Sequence, residues 1–421
     1  MRIVLINTSD INGGAAIAAR RLLHALINEK IDARLLVQEK RSADNQVYST
    51  THSSIKRIFN FYRFAFERFL FFLREKDKSV RFSFSIANTG EDISKNPLVK
   101  EADIIHLHWI NGGFLSLTSL KKLLKLNKPI VWTFHDMWAF TGGCHYAGSC
   151  ENFKTQCFNC PYLKNPHKKD LSFRIWSRKQ KIFENKDIHI VTCSNWLQRV
   201  TLQSMLLKEN KIISIQNPID TNIFKPINKT DSRKNLGIVT DKKLILFGAM
   251  NVNDKRKGSV YLLDALNYIS KNNPELKDKI ALVVFGKNKT PLETDFEMIN
   301  LKFINNEADI VNIYNACDVF VTPSIEDNLP NTIVESHACG VPVVAFNTTG
   351  MTEMISHQVN GYLASNKSPE DLANGIIWIL FNSDYKSLCE QARKKAVDYY
   401  SPELSAEKYI NLYKSLLNTS E

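Results

Sequence analysis

Two carboxylate side chains are spaced for ligand binding in the segment SIEDNLPNTIVESHACG, which runs from Ser324 to Gly340. Asp327 and Glu335 have seven residues between them. Ionised carboxylates only accept hydrogen bonds, so these two side chains could hold different hydroxyl groups of one ligand. A capped helix beside a surface aspartate is the alternative, and the spacing alone does not decide between the two.

The apolar residues before this segment place it at one edge of a predicted sheet. The run DVFVTPS predicts a strand that ends at Pro323 and Ser324, and a helix is predicted to begin at Asn331. Open α/β sheets bind ligands at the carboxyl ends of their parallel strands, and the N–H groups at a helix start favour an anion. The segment therefore predicts a site for a ligand that carries hydroxyl groups and a diphosphate.

A pair of glycines, Gly13 and Gly14, separates the first predicted strand from the first predicted helix in the loop NTSDINGGAA. Glycines in this position let the backbone approach a ligand closely. A dinucleotide-binding oxidoreductase would need the pattern G-x-G-x-x-G here and an acidic residue after the second strand. The loop lacks that pattern, and Gln38 follows the second strand, so the oxidoreductase class is disfavoured.

Three histidines of the first half, His106, His108 and His135, lie in predicted strands or directly after them. His135 comes directly after the predicted strand PIVWTF, again at a carboxyl end. His106 and His108 alternate with apolar residues in DIIHLHW, a pattern that fits buried, hydrogen-bonded histidines at least as well as functional ones. We assign a functional role to neither of the latter two.

Four cysteines lie within seventeen residues in CHYAGSCENFKTQCFNC, at positions Cys144, Cys150, Cys157 and Cys160. Four thiols that end in C-x-x-C are sufficient for a closed tetrahedral zinc site, which would pin the loop after His135. Thiols without a metal are one alternative and disulfides are another. A structural zinc ion is therefore a prediction to be tested.

The stretch from Ser53 to Phe84 is basic and rich in aromatic residues. Eight aromatic residues lie between Phe59 and Phe72. Basic residues precede them, alternate with them and follow them, at positions Lys56, Arg57, Arg63, Arg68, Arg74 and Lys76. An interfacial helix has this composition, with aromatic rings below the headgroups and cations against anionic lipid. A helix packed on the first sheet is the alternative; nucleic acid is disfavoured because no known binding motif accompanies the basic residues.

Short apolar runs alternate with helical patterns along most of the chain, and the alternation restarts after Pro218. This order predicts two doubly wound α/β units with parallel strands and crossover helices. A chain of 421 residues is also long for one core. The segment QNPIDTNIFKP is the predicted linker, and residues 401–421 predict a terminal helix that docks on another part of the protein.

Charge is distributed unevenly. Residues 1–200 contain 31 Lys and Arg against 17 Asp and Glu, whereas residues 201–421 contain 24 against 26. The first half therefore favours an anionic partner. The N-terminus lacks the apolar centre of a signal peptide, and no apolar run is long enough to span a membrane, so we expect a cytoplasmic protein that is soluble or peripheral.

With these features placed, the sequence resembles glycosyltransferase family 4, whose members have the GT-B fold. The family has a loop acid, seven intervening residues and a helical Glu, as Asp327 and Glu335 do. Further matches are the P-N and A-C-G-x-P-V-V positions of the family, found here at Pro330, Asn331, Ala338, Cys339, Gly340, Pro342, Val343 and Val344. Most members have Glu in place of Asp327, and Asp is found in a branch involved in bacterial exopolysaccharide (colanic-acid-type) synthesis.

The resemblance implies roles for residues of the second half. Glu335 would hold the ribose of a donor nucleotide, and Asp327 would hold hydroxyls of the transferred sugar, with the helix start at Asn331 facing the donor. Lys257, in DKRKG, matches the lysine of the family's phosphate-binding loop, and Arg256 is the nearest replacement for the family's partner arginine. A solvated charge cluster is the alternative interpretation of DKRKG.

The resemblance also implies an organisation and a reaction. Residues 1–217 with the returning helix 401–421 would bind the acceptor, and residues 218–400 would bind the donor. Gly13 and Gly14 would line the cleft at the donor diphosphate, and His135 would lie beside the donor sugar. The enzyme would transfer a sugar from a UDP- or GDP-sugar to a glycan or polyprenyl-linked glycan, with retention and without a catalytic metal.

Two classes of rival function remain open at this point. One is another enzyme on the same architecture, such as a nucleotide-sugar epimerase or a phosphorylase, although no lysine for the pyridoxal phosphate of a phosphorylase can be identified. The other is a subunit without catalytic activity that binds a sugar nucleotide or a membrane. The expected biological setting is surface polysaccharide synthesis at the inner face of the membrane.

Overall fold

The structure is a computed structural model that describes residues 1–251, 254–287, 293–301 and 306–418. The chain forms two compact units. The first contains residues 1–217 together with the C-terminal helix from Ser405 onward, and the second contains residues 218–404. Each unit is built around its own parallel sheet.

The sheet of the first unit has seven strands in the order β3-β2-β1-β4-β5-β6-β7. These strands are β1 (Arg2–Ser9), β2 (Asp32–Glu39), β3 (Val47–Ser49), β4 (Ile104–Leu107), β5 (Ile130–Phe134), β6 (Ile188–Thr192) and β7 (Ile212–Ser214). All neighbouring strands are parallel. The strand order reverses between β1 and β4, and ligands of doubly wound sheets bind at such a switch point.

Helices cover both faces of this sheet, which explains why its strands are apolar on both sides. They are α1 (Gly14–Asn28), α2 (Ser54–Phe72), α3 (Pro97–Glu101), α4 (Leu117–Leu123), α5 (Leu171–Phe183) and α6 (Asn195–Leu202). In β1, every residue from Ile3 to Ile6 is at most 1% exposed. These side chains point alternately into two separate apolar clusters, one on each face.

The second unit repeats the arrangement with six strands in the order β10-β9-β8-β11-β12-β13. Its strands are β8 (Lys243–Asn251), β9 (Ile280–Lys287), β10 (Glu297–Asn300), β11 (Val319–Thr322), β12 (Val343–Phe346) and β13 (Gly361–Ala364). Its helices are α7 (Lys229–Asn235), α8 (Ser259–Asn272), α9 (Glu307–Ala316), α10 (Asn331–Ala338), α11 (Met351–Met354), α12 (Pro369–Leu380) and α13 (Tyr385–Tyr400). The switch point lies between β8 and β11.

The last helix, α14 (Pro402–Asn418), packs on the first unit through its buried tyrosines. The Tyr413 hydroxyl lies 2.7 Å from Nδ1 of His106, and the Tyr409 hydroxyl lies 2.8 Å from the Thr133 hydroxyl. The predicted return of the terminal helix to the first domain is therefore confirmed. Within the described residues, no helix combines the length and apolarity that crossing a bilayer requires.

Candidate active site

The acidic segment lies at the switch point of the second sheet. β11 ends at Thr322, just before the predicted end at Pro323 and Ser324, and α10 begins at Asn331, as predicted. The N-cap of α10 is Pro330, which makes no side-chain hydrogen bond to the helix start. Helix starts carry backbone N–H groups and the positive end of the helix dipole, so the start of α10 suits an anion.

A basic turn at Lys255–Lys257 meets this loop because β8 and β11 are neighbours. Nζ of Lys257 lies 2.6 Å from Oδ2 of Asp327, and a guanidinium nitrogen of Arg256 lies 3.2 Å from the same oxygen. Burial alone would raise the pKa of Asp327, but the two cations outweigh it and lower that pKa. Asp327 is therefore ionised at neutral pH, and the structure groups three of the predicted site residues.

Backbone contacts fix the basic turn against the acidic loop. Arg256 donates to the carbonyl of Glu326 at 2.8 Å, and its own carbonyl accepts the N–H of Ile325 at 2.9 Å. Gly258 follows the turn with a positive φ of 73°, and a Cβ there would lie 1.9 Å from the carbonyl oxygen of Pro323. Only glycine fits this approach, so Gly258 sets the distance between the two loops.

The loop after β12 forms a third side of the site, which the sequence reasoning missed. The Thr349 hydroxyl accepts the N–H of Asp327 at 3.2 Å, and the Gly350 N–H donates to the carbonyl of Asp327 at 3.2 Å. A Cβ on Gly350 would lie 1.5 Å from the carbonyl oxygen of Asn328. The signal available in the sequence was the turn-forming run NTTG after a buried strand.

Glu335 lies one turn inside α10, four residues after Asn331, so the two side chains share one face of the helix. Glu335 is 9% exposed and accepts a hydrogen bond from the Tyr314 hydroxyl at 3.0 Å. Tyr314 is fully buried, with its ring edge-on to those of Phe285 and Phe320. Tyr314 therefore orients the carboxylate, a contact that the sequence reasoning also missed.

In the first unit, Gly13 caps α1 without a side chain and has a φ of 96°. None of the described atoms beyond its chain neighbours lies within 4 Å of the position where its Cβ would stand. Glycine is therefore required here by backbone conformation rather than by packing. Gly14 is the first residue of α1, at the carboxyl end of β1 and beside the switch point.

His135 lies directly after β5, is partly buried, and belongs to a chain of side-chain contacts. Its Nε2 lies 3.0 Å from Nδ1 of His108, and its Nδ1 lies 3.5 Å from Sγ of Cys193. Burial lowers the pKa of His135 to about 4, although Asp136 acts in the opposite direction. His135 is therefore neutral at pH 7 and suited to hydrogen bonding rather than to donating a proton as an acid.

His106 lies in β4 and His108 directly follows it, and the two histidines have different partners. Both ring nitrogens of His106 are 2.7 Å from hydroxyls, those of Tyr413 and Thr133, so His106 holds α14 on the sheet. His108 follows β4 at the switch point, 3% exposed, and its Nε2 has no hydrogen-bond partner among the described residues. His108 therefore belongs with His135, a connection that the strand pattern did not reveal.

The loop after His135 is held by Asp136 and by a buried lysine. Asp136 accepts hydrogen bonds from the indole of Trp109 at 3.0 Å and the backbone N–H of Trp138 at 2.8 Å, and it lies 2.7 Å from Nδ1 of His145. Lys179 of α5 is fully buried and donates to the carbonyl of Trp138. Burial lowers the pKa of Lys179 to about 7. These contacts fix the position of His135.

The four cysteines line one pocket and are all free thiols, so the disulfide alternative is not formed. Burial raises the pKa of Cys157 and of Cys160 to about 12. Among the described residues, however, no group of three or more His, Cys, Asp or Glu is arranged to hold a metal ion. The structure thus groups the predicted ligands, Cys144 and Cys150 included, but does not supply a zinc site.

Metal analysis tests the zinc prediction directly. If the predicted zinc ion is bound, protein purified without added metal contains one zinc ion per chain, and its four cysteines do not react with a thiol reagent until a chelator is added. A chain without bound metal, in which Cys144, Cys150, Cys157 and Cys160 react without a chelator, would remove the prediction.

The buried histidines predict a loss of stability in acid. Burial is the main cause that lowers the pKa of His106 to about 3, of His135 to about 4 and of His337 to about 3. The unfolded chain takes up protons below about pH 6.5 while the folded histidines stay neutral, so the free energy of unfolding should fall from there to about pH 4. Each histidine contributes at most about 1.4 kcal/mol per pH unit in this window.

Urea unfolding at about pH 7 and about pH 5 measures this slope. His106→Gln removes one of these groups and should give a shallower slope, whereas His52→Gln, at an exposed position, should leave the slope unchanged. Equal slopes in all three proteins would show that the buried histidines do not control acid stability.

Two models of known protein families match the sequence. The model of glycosyltransferase family 4 matches residues 12–223, and the model of glycosyl transferases group 1 matches residues 228–397. A putative colanic acid biosynthesis glycosyl transferase, WcaC of Escherichia coli strain K12, is 25% identical over 345 residues, which cover 76% of this chain and 77% of the relative.

The chain is also similar to a second curated protein and to a solved structure. An N,N'-diacetylbacillosaminyl-diphospho-undecaprenol alpha-1,3-N-acetylgalactosaminyltransferase of Campylobacter jejuni is 28% identical over 223 residues, 50% of this chain and 56% of that protein. The crystal structure of Anabaena Alr3699/HepE in complex with UDP and glucose has a TM-score of 0.65 at 18% identity and covers 99% of this chain and 100% of that one. The chain therefore has the GT-B fold, as predicted, and belongs to glycosyltransferase family 4.

Proposed function

We propose that the protein transfers a sugar from a nucleoside-diphosphate carrier to a glycan or polyprenyl-linked glycan, with retention of the anomeric configuration. The observation that carries this proposal is the cluster of Arg256, Lys257 and Asp327 at the switch point of the second sheet. Two cations beside a helix start can bind the anionic end of a ligand, and a carboxylate can accept hydrogen bonds from hydroxyls at its other end.

The two cations would bind and stabilise the diphosphate. Lys257 and Arg256 are held within 3.2 Å of one carboxylate oxygen of Asp327, and phosphate oxygens accept the same charge-assisted hydrogen bonds. Negative charge grows on the diphosphate as the bond to the sugar breaks. Cations fixed in place before the reaction stabilise that charge, and the start of α10 at Asn331 adds to the effect. We propose no catalytic metal.

The two carboxylates would bind the hydroxyl groups of the donor. Glu335, oriented by Tyr314, would accept hydrogen bonds from the ribose. Asp327 would accept hydrogen bonds from the transferred sugar while its ion pairs hold it in place. Asp is one methylene shorter than the Glu found in most of the family, and the backbone contacts to Thr349 and Gly350 define the position from which it reaches the sugar.

The first unit would supply contacts to the reacting sugar and to the acceptor. Gly13 and Gly14 would let the backbone approach the diphosphate, and neutral His135 would hydrogen-bond to the sugar. We propose same-face attack, in which the acceptor hydroxyl passes its proton to the leaving diphosphate and no protein nucleophile is used. Residues 1–217 with the terminal helix would then bind the acceptor, and residues 218–400 the donor.

The relatives support the choice of substrates and setting. HepE was crystallised with UDP and glucose, the Campylobacter transferase is named for a diphospho-undecaprenol acceptor, and WcaC is named for colanic acid synthesis. We therefore propose a UDP- or GDP-sugar donor and a role in surface polysaccharide synthesis at the cytoplasmic face of the membrane.

A transfer assay with product analysis tests this function. UDP- and GDP-sugars that stabilise the protein in a thermal-shift screen would be incubated with polyprenyl-diphosphate-linked glycans, and the new glycosidic bond would be examined by NMR. The anomeric configuration of the donor should be kept in the product. An epimerised nucleotide sugar would favour the epimerase, and cleavage that requires inorganic phosphate would favour the phosphorylase. Tight donor binding without any product would favour the non-catalytic subunit.

A further inference from the structure

The helix α2 has the reverse of the burial expected for a surface helix. Its buried residues are Asn60, Glu67 and Phe71. Its outer face consists of large apolar side chains that are 37–68% exposed, and these are Ile55, Ile58, Phe59, Phe61, Tyr62, Phe64, Phe66, Phe69 and Phe72. With Phe82, seven of the eight exposed phenylalanines in the described residues belong to the stretch Ser53–Phe84. An apolar surface of this extent marks an interaction site.

Polar contacts on the buried side fix the orientation of α2. The carboxylate of Glu67 accepts the backbone N–H groups of Ile86 at 3.0 Å and Ala87 at 3.2 Å and pairs with Arg68 at 2.9 Å. Asn60 donates to the Thr51 hydroxyl at 2.7 Å. Rotating the helix to hide its aromatic residues would break these bonds and leave a buried carboxylate without its partners, so the aromatic face stays outside.

Close packing ties the same helix to the carboxyl edge of the first sheet. The Thr89 hydroxyl donates to the carbonyl of Arg63 at 3.0 Å. Gly113 lies in the loop after β4 with a φ of 79°, and a Cβ there would lie 2.9 Å from the backbone nitrogen of Phe64. Since this loop also begins with His108, the outer face of α2 lies on an element that is packed against the candidate site of the first unit.

The charges around the aromatic face indicate which partner it meets. The stretch Ser53–Phe84 contains eight Lys and Arg against three Asp and Glu. Two of these basic residues make contacts within the protein. Arg68 donates to the carbonyls of Arg81 and Phe84. Lys56 forms an ion pair with Glu91. Exposed cations remain on both flanks of the aromatic residues, at positions Arg57, Arg74, Lys76 and Lys78.

We propose that residues 53–84 dock the protein on an anionic lipid bilayer, with the aromatic face of α2 inserted at the depth of the headgroups. The rings gain an apolar environment and the flanking cations gain anionic headgroups. A second copy of the chain would instead bring like-charged flanks together. The proposal deepens the proposed function, because it names the surface through which the enzyme would reach a lipid-linked acceptor.

Sedimentation with vesicles tests this surface on the full chain. The protein should bind vesicles of phosphatidylcholine with phosphatidylglycerol, bind phosphatidylcholine alone more weakly, and dissociate as salt is added. The triple substitution Phe59→Ser, Phe66→Ser and Phe69→Ser should lower the partition coefficient by about a hundredfold or more, since three exposed rings no longer enter the interface.

The matched control replaces three exposed apolar residues of the second unit, Phe381, Val397 and Tyr399, by serine, and it should bind vesicles as the unaltered protein does. Binding by the triple α2 variant equal to that of the control would overturn the proposal, as would an unaltered protein that stays in solution. A concentration-dependent dimer that is lost in the triple variant, without vesicle binding, would assign the surface to a second copy. UDP and GDP binding, measured in parallel, separates failure of this surface from failure of the donor site.

Discussion

Replacing Lys257 by alanine is expected to lower kcat by about 10²–10³-fold, because a fixed donor that meets charge developing in the transition state is worth about 2.7–4 kcal/mol. Nζ of Lys257 lies 2.6 Å from Asp327, and Arg256 lies 3.2 Å from the same oxygen. Lys257→Ala leaves Asp327 with one of its two cations, so the fold should survive while the stabilisation of the leaving diphosphate is lost. Steady-state transfer kinetics with the best donor of the thermal-shift screen measures the effect.

Lys255→Ala is the matched control for this substitution. Lys255 belongs to the same short turn and is exposed, and it carries the same charge as Lys257. We expect this variant to keep kcat within about threefold, since an exposed charge contributes little. Equal loss in both variants would indicate a general effect of basic charge, and unchanged turnover in Lys257→Ala would contradict the assigned role.

Replacing Gly258 by alanine is expected to destabilise the second unit by about 2–5 kcal/mol. A φ of 73° costs a residue with a side chain about 1–2 kcal/mol, and relieving an overlap with a fixed backbone atom costs about 1–3 kcal/mol more. The overlapping atom is the carbonyl oxygen of Pro323, 1.9 Å from the added Cβ, so the turn cannot keep its present position. Differential scanning calorimetry should show a lower Tm, and activity should fall because Lys257 moves with the turn.

Gly237→Ala separates backbone strain from steric overlap. Gly237 lies in the same unit with a φ of 67°, and its added Cβ would meet no described atom within 4 Å. It should therefore lose only the conformational part, about 1–2 kcal/mol, and keep its activity. A Gly258→Ala protein as stable and active as Gly237→Ala would show that the turn at Lys255–Lys257 can move away from Pro323 without consequence.

Local sequence patterns were sufficient for the architecture and for part of the site. The alternation of apolar runs with helical patterns predicted two parallel sheets because buried parallel strands and crossover helices leave different periodicities. The start of α10 at Asn331 followed from the end of a strand and the stop at Gly340 and Pro342. Lys257 and Asp327 lie in loops at the carboxyl ends of two strands. Because these strands, β8 and β11, are neighbours in the sheet, the two side chains come into contact.

Other parts of the site depend on contacts between distant segments, which no local pattern contains. The Tyr314 hydroxyl reaches Glu335 from α9, and Gly350 closes on Asn328 from the loop after β12. His106 and His108 are identical in their local pattern, yet one bonds to α14 and the other to His135. The three-dimensional neighbours of these residues, rather than their spacing, separate their roles.

The stretch Ser53–Phe84 shows the same limit at the surface. Its composition predicted either an interfacial helix or a helix packed on the sheet, because both need many apolar residues. The structure distinguishes the two faces: Glu67 and Asn60 are turned inward by hydrogen bonds to residues outside the helix, whereas the aromatic rings of α2 other than that of Phe71 are exposed. A pattern of residue types does not show which face of a helix packs against the rest of the protein.

Calorimetric titration of UDP and GDP tests the central claim most directly, namely that the cluster of Arg256, Lys257 and Asp327 adjoins a nucleoside-diphosphate site. One of the two nucleotides should bind the unaltered protein and Lys255→Ala alike. It should bind Lys257→Ala at least about tenfold more weakly, because a charge-assisted contact is lost. If neither nucleotide binds, or if all three proteins bind with equal affinity, the assignment of the donor site is contradicted.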